Sequence, residues 1–566
     1  MTDFSEFSPR ALSEQYVDDL IALDPVTATS LGLPDGADRL GDLSPAGADA
    51  LSDLRRRTLA SLEAADGRPV GDEAACARLL RERLTAEEAL YDEGEHLRSL
   101  GALFSPLQSV RMAFDLMPKT TDHEWEVVAR RMATVPSALA GYTATLAEGR
   151  RRDLPAGPAQ VDAVIDQLGQ WLAAGGGAGW YHDLAAGGPE PVRGPLDAAA
   201  DAADAAVATF RDWLRTEYAP FAHSRGLDPV GRERYARAAR YWTGADVDLD
   251  EAYAWAWGEF GRLDRELRAE AERVLPGAGV RAATDHLDAD GPALDGVDAV
   301  LAYLQGLMDD AVSALDGVHF DLADPIRRVE AMVAPAGTAA APYYTVPSLD
   351  FARPGRTWLP TLGRTRFPRW ELVSTWYHEG VPGHHLQLAR WIYRAAELSR
   401  FQTVIGLVSA NLEGWALYAE RLMDELGFLT DPGERLGYLD AQQMRAVRVI
   451  VDIGMHCELE IPRDQGGPEA FAPGERWTPG LAREFFGRNS GRPAAFIDSE
   501  LVRYLGGPGQ AIGYKLGERV WLAGREAARR AHSARGEAFD LKAWHMAALA
   551  QGSLGLDDLL EELSAL

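Results

Sequence analysis

The sequence predicts a mainly α protein, and three observations carry that expectation. Apolar residues recur at helical spacing, as Leu12, Tyr16, Leu20 and Leu23 do between Ser8 and Leu23. Met1 to Arg152 lacks the alternating β-branched runs that mark strands. β-prone runs are confined to residues 326–362, where Pro breaks them into short pieces suited to one small sheet.

Taken in order, helical patterns cover Ser8–Leu23, Ala48–Ala65, Glu73–Tyr91 and His123–Glu148. The run Gly175-Gly176-Gly177 has no preceding strand and no following Lys-Ser or Lys-Thr, so it reads as a flexible loop, not a phosphate cradle. Residues 195–224 and 249–274 return to helix, the second opening on Asp248-Leu249-Asp250-Glu251, acidic residues suited to a helix start. Gly, Pro and Asp crowd residues 275–298, which suggests a linker or surface loop. The expected organisation is an N-terminal helical lobe (1–274), a linker and helical segment (275–325) and a catalytic metal-binding lobe with a small sheet (326–566).

Composition excludes several classes of function. With 566 residues the chain is long enough for two or more subdomains and a large core. It holds no apolar run of about 18 residues, so no membrane span is expected. Met1-Thr2-Asp3-Phe4-Ser5-Glu6 has neither a basic region nor an apolar stretch, so no signal peptide is expected. Cys76 and Cys457 are the only cysteines, which rules out a disulfide framework and fits a reducing cytoplasm. The net charge of −29 argues against nucleic acid or an anionic membrane as partner. A small molecule or short peptide remains as the expected substrate.

The chemistry concentrates in Trp376-Tyr377-His378-Glu379-Gly380-Val381-Pro382-Gly383-His384-His385-Leu386-Gln387. A His-Glu pair followed by another His resembles the zinc-peptidase signature, in which two His bind metal and the Glu polarises water. The signature's second His would fall at Pro382. In an unbroken helix His384 would lie about 240° around from His378 and could not share its metal. Pro382 and Gly383 make a break there, and two looped-out residues would return His384 to the required place. His385, seven residues after His378, is the other candidate.

A third ligand must come from elsewhere. Ser409–Glu420 has helical spacing through Leu412, Trp415, Ala416 and Ala419, with Glu413 and Glu420 seven apart on one face. Glu413, flanked by Leu412 and Trp415, is the expected ligand; Glu420, beside Arg421, is expected in an outer, supporting place. Downstream, Arg448, Asp452 and His456 share one face of a helix whose other positions are apolar, so charge there needs partners. Asp452 could orient His456 or pair with Arg448. Pro508-Gly509 marks a turn into a helix carrying Gln510 and Tyr514 on one face. Arg503 suits a carboxylate, and Tyr504 or Tyr514 could donate to an oxyanion.

These motifs together resemble a bacterial family, the domain-of-unknown-function 885 proteins. The resemblance rests on His378-Glu379-x-x-Pro382-Gly383-His384-His385-x-Gln387, Glu413-Gly414-Trp415-Ala416, Asp452-x-Gly454-x-His456 and Pro508-Gly509-Gln510-Ala511-x-x-Tyr514-Lys515, with Arg353-Pro354-Gly355 upstream. Trp358-Leu359-Pro360 lacks the Asn expected there, and Cys457-Glu458-Leu459-Glu460 is atypical. The resemblance implies a thimet-oligopeptidase-like architecture: two helical lobes around a deep central cleft, with a small sheet near the active site. It favours His384 over His385 as ligand.

The expected function is therefore a zinc-dependent hydrolase of amide or peptide bonds, metallopeptidase or carboxypeptidase-like. Zinc would sit on His378, His384 and Glu413. Glu379, Tyr514 and His456 are the expected catalytic residues; His385, Arg503, Tyr504, Gln510, Lys515 and Arg448 are expected to bind substrate; Asp452 and Glu420 would support them. A biosynthetic enzyme acting on a small amide or ester is one alternative, and a non-catalytic helical scaffold is another, disfavoured by the intact Glu379.

Overall fold

A computed structural model describes residues 8–64, 71–334, 341–465 and 470–566. The fold is mainly α, with two small sheets. The N-terminal residues Met1–Glu6 lie outside the described residues.

Local chemistry sets the helix ends. Ser8 caps helix Pro9–Leu23 by accepting from the Ala11 amide, with Pro9 in the first turn where its missing N–H costs nothing. Thr121 and Glu124 form a reciprocal capping box on helix Asp122–Met132. The single helical pattern expected over His123–Glu148 is divided into that helix and Val135–Arg151. Pro136 explains the break: it lacks the N–H an interior turn needs, so it sits in a new first turn. Asp248 caps helix Leu249–Val274 through the amides of Asp250 and Glu251.

The chain divides into two compact units. One comprises Met1–Pro69, Leu80–Ala238 and Asp498–Pro508; the other comprises Val70–Leu79, Ala239–Ile497 and Gly509–Leu566. The first is helical throughout its described residues, around a core that includes Leu107, Phe114, Val128, Tyr142, Leu168 and Phe210. The glycine run closes helix Pro158–Gly177, with Gly175 and Gly176 in the left-handed region at φ 59° and 73°.

In the second unit, residues 275–298 are mostly ordered structure, not the expected linker. Gly279 and Gly291 bound a helix, Val280–Asp290, which buries Ala283, Thr284 and Leu287. Strand β1 (Ala293–Asp295) pairs antiparallel with β5 (Arg366–Pro368). The sheet expected in 326–362 is present. Strands β2 (Val329–Val333), β3 (Tyr343–Thr345) and β4 (Gly355–Leu359) are ordered β2-β4-β3, with β2 parallel and β3 antiparallel to β4.

Helix Pro432–His456 is buried along nearly its whole length; Val447, Val449, Ile450, Val451 and Ile453 are fully buried. Helix Ser409–Glu425 meets helix Gly513–Arg535 backbone to backbone, because Gly414 faces Gly517 and a Cβ on either would collide with the other helix. Beside that contact the fully buried Lys515 ammonium donates to Glu259 (3.0 Å), Glu518 (2.6 Å) and Gln442. Three acceptors match its three N–H groups. Lys515→Met should lower stability by about 1–3 kcal/mol, since Gln442 and the two carboxylates lose a buried donor while Arg262 and Arg421 still hold Glu259 and Glu518. Urea unfolding of parent and variant measures this.

Candidate metal centre

Helix Val373–Glu379 ends directly after the His-Glu pair, and helix His384–Tyr393 starts directly on the next His. The turn between them is stitched by Gly380 N–H to Trp376 O (2.9 Å), Gly383 N–H to Tyr377 O (3.0 Å) and His385 N–H to Gly380 O (3.1 Å). Only glycine fits at 383, where a Cβ would run into the carbonyl oxygens of Tyr377 and His378. The turn folds His384 back onto His378, and their rings lie edge to face with centroids 4.8 Å apart.

Helix Ser409–Glu425 supplies the third group. Glu413 Oε2 is 3.3 Å from His378 Nε2 and 3.6 Å from His384 Nε2. One ligand atom from each of these three residues falls within 4.8 Å of the others. Two ligands about 2.0–2.1 Å from a tetrahedral zinc stand about 3.3–3.4 Å apart, so two edges of this triangle match a zinc tetrahedron. Glu413 Oε2 is buried without a hydrogen bond from any described residue. Two imidazoles and one carboxylate around an unsatisfied oxygen fit a zinc ion with a fourth position left open.

The electrostatics favour a cation at the same place. Burial alone would lower the His378 pKa, but the carboxylates of Glu413 and Glu420 outweigh it and raise the value to about 9. Glu413 is held well below the usual carboxylate range: burial opposes this, and contact with His378 and His384 prevails. Glu379 is buried beside them, and burial pushes its carboxyl pKa up despite the attraction of both imidazoles.

Glu420 is fully buried and binds His378 Nδ1 at 2.8 Å. The Ser374 hydroxyl donates to its other oxygen, and an Arg445 guanidinium nitrogen lies 3.6 Å away. With Nδ1–H committed to Glu420, Nε2 is the nitrogen of His378 that faces Glu413 and His384, and a metal there would displace its proton and take its lone pair. Glu413 and Glu420, seven apart on one helix face, thus address the two nitrogens of one imidazole.

Trp415 ties the elements together. Its fully buried indole N–H donates to the carbonyls of Pro382 (2.9 Å) and Gly383 (3.1 Å). In the run Glu413-Gly414-Trp415, the carboxylate faces the histidines, the glycine meets the neighbouring helix and the indole clamps the turn. Trp415→Phe should cost about 1–3 kcal/mol, since it leaves buried carbonyls unpaired, and should weaken zinc binding in a chelator-competition assay. Unchanged zinc affinity with lowered stability would limit Trp415 to packing.

The other expected site residues fall into different surroundings. His385 is fully buried, with Nε2 2.6 Å from Ile326 O and Nδ1 2.9 Å from Tyr344 Oη. Burial depresses its pKa to about 4, so the ring is neutral: Nε2–H donates to the carbonyl, and the tyrosine hydroxyl donates to Nδ1. Neither nitrogen is left for the expected contact with substrate. Lys515 is likewise committed, to its three buried acceptors.

Arg448, Asp452 and His456 lie along helix Pro432–His456, and the first two reach the segment that carries Gly509, Gln510 and Tyr514. The Arg448 guanidinium lies 4.7 Å from the Tyr514 ring centroid, Asp452 accepts from the Gly509 amide at 3.0 Å, and His456 Nε2 is 3.7 Å from Asp452 Oδ1. Gln510 is nearly buried. Arg503 and Tyr504 belong to the first unit, where both bind Glu500.

Sequence reasoning missed Ser374, Arg445 and Tyr344. Ser374 lies four residues before His378, and that spacing could have revealed it. Arg445 and Tyr344 come from distant segments, and no local pattern marks them.

Two solved structures share this fold. The "putative lipoprotein from Colwellia psychrerythraea" is 19% identical, with a TM-score of 0.81 over 98% of both chains. The "putative lipoprotein of unknown function from Shewanella oneidensis" is 18% identical, with a TM-score of 0.74 over 98% of this chain and 99% of that one. The cytoplasmic location expected from the sequence is withdrawn on this finding, because two cysteines report on disulfide chemistry and not on cellular address. Among the described residues no helix is long and apolar enough to cross a membrane. A comparison with curated proteins gives no match. Residues 25–563 match the family described as "Bacterial protein of unknown function (DUF885)", and the chain belongs to that family.

Proposed function

We propose that this protein is a zinc-dependent hydrolase of amide bonds, acting on short peptides or similar small molecules. The observation that carries the reading is the buried Glu413 Oε2, without a hydrogen bond and facing the Nε2 atoms of His378 and His384. Zinc held by these three residues would supply a Lewis acid that acidifies water toward a pKa of about 7 and polarises a substrate carbonyl.

The protein's own groups do the rest. Glu379 takes the proton of the attacking water and hands it to the leaving nitrogen. Its burial raises its proton affinity, which suits a group that must hold the proton between the two steps. Glu420 keeps His378 in one tautomer and orientation, and Ser374 and Arg445 keep Glu420 in place. The donor set serves ester and amide hydrolysis alike, so peptides are assigned by the resemblance of His378-Glu379 and Gly383-His384 to peptidase motifs.

The test is a digest of a mixed peptide library followed by mass spectrometry, with the parent protein, the chelator-stripped protein and the stripped protein given back zinc. Cleavage lost on stripping and restored by zinc supports the reading. A zinc-replete protein that cleaves no peptide overturns the peptidase assignment.

A further inference from the structure

We infer that Arg353 is the receptor for a substrate carboxylate, so that the ligands of this site carry a free carboxylate beside the bond presented to the metal centre. This rests on the proposed function for the position of that bond, and on its own observations for the carboxylate.

The first observation is a cation without an ion-pair partner among the described residues. The Arg353 side chain is partly buried and makes no ion pair or hydrogen bond with any described residue. Glu330, the carboxylate whose field it feels, is already bound by Arg356 Nε at 2.9 Å. Burial and the like charge of Arg356 both work against its protonated form. In a chain of net charge −29, two guanidiniums sharing one carboxylate leave a local positive excess.

The second is a rigid mount. Ser348 and Arg353 exchange backbone contacts: Ser348 N–H donates to Arg353 O at 3.0 Å, and Arg353 N–H donates to Ser348 Oγ at 3.0 Å. Asp350 braces the same turn by accepting from Ser348 Oγ (2.6 Å) and the Ala352 amide (3.0 Å). The mount fixes where the side chain leaves the backbone, so binding has to order only the side chain.

The third is location. A Cβ on Gly355 would collide with Tyr344 Oη and His385 Nδ1, so the backbone two residues after Arg353 lies against the imidazole that follows ligand His384. Tyr344 donates its proton to His385, and its hydroxyl lies within the electrostatic reach of Arg353. An extended chain advances about 3.3–3.6 Å per residue, so the spacing of Arg353 from the metal centre sets how many residues separate the scissile bond from the carboxylate. The planar fork of Arg binds a carboxylate through two parallel hydrogen bonds.

The experiment is calorimetric titration of the zinc-loaded full chain with N-acetyl-Ala-Ala, its C-terminal amide, and succinate. It uses the parent, Arg353→Gln and Arg353→Lys. The parent should bind the free acid about 10- to 100-fold more tightly than the amide. Arg353→Gln should abolish that preference without changing amide affinity or zinc content, and Arg353→Lys should restore part of it. Tighter binding of the peptide acid than of succinate assigns the site to a peptide C-terminus, and the reverse to a small dicarboxylate; Arg353 is the receptor in either case. Equal affinity of the parent for acid and amide, or a Gln variant that keeps the preference, overturns the inference. All titrations are made in the Glu379→Gln background, which keeps zinc without turnover, so a failure of the hydrolase reading would appear separately, as no cleavage by protein with Glu379 intact.

Discussion

Glu379→Gln should retain zinc and lose about two to four decades of turnover, the usual loss when a positioned general base is removed. Gln keeps the volume of Glu in a site that is nearly closed to solvent. It loses only the ability to take and return a proton. The substitution leaves His378, His384 and Glu413 as they are, so zinc per chain should match the parent. It also removes a buried carboxyl whose pKa is raised by burial, which should cost the fold little. Near-parent turnover in this variant would remove Glu379 as the base and leave the proton transfer to another group.

Glu413→Gln should empty the metal centre. Glu413 Oε2 faces both imidazole Nε2 atoms, and an amide oxygen there offers no charge to a dication. The fold should survive, because Gly414 and Trp415, which dock the helix, are untouched. Glu420→Gln should be milder, with zinc affinity down about 10–100-fold, because it loosens the orientation of His378 without removing a ligand. Zinc per chain after dialysis against a weak chelator, with a thermal scan in added zinc, separates the cases. The parent should gain stability from zinc and the Glu413 variant should not. If the Glu413 variant keeps parent-level zinc while the Glu420 variant is empty, the two carboxylates have exchanged roles.

Much of this site could be read from the chain because its parts obey local rules. The seven-residue spacing of Glu413 and Glu420 places them on one helix face wherever that helix goes, and the structure sets both against His378. Pro382 and Gly383 announce a break, and the break brings His384 to His378. The roles of His385 and Lys515 could not be read this way. Both belong to motifs rich in reactive residues, yet each is consumed by partners from remote segments: Ile326 and Tyr344 for the first, Glu259 and Gln442 for the second. A sequence gives the type of a polar residue but not the distant group that saturates it.

The fold shows the same division. Helix Leu249–Val274 begins and ends where its acidic start and apolar period predict. The helix at Val280–Asp290 was hidden because Gly279 and Gly291, read as loop formers, serve as its boundaries. The pairing of β2 with β4 across an intervening strand joins residues 26 apart, a register that alternation within either run does not encode.

The most direct measurement is anomalous diffraction from crystals of the zinc-loaded protein on either side of the zinc absorption edge. A single strong peak bonded to His378 Nε2, His384 Nε2 and a Glu413 oxygen, and absent below the edge, is the expected result. A zinc peak elsewhere, or none at this triad in crystals grown with stoichiometric zinc, would contradict the assignment.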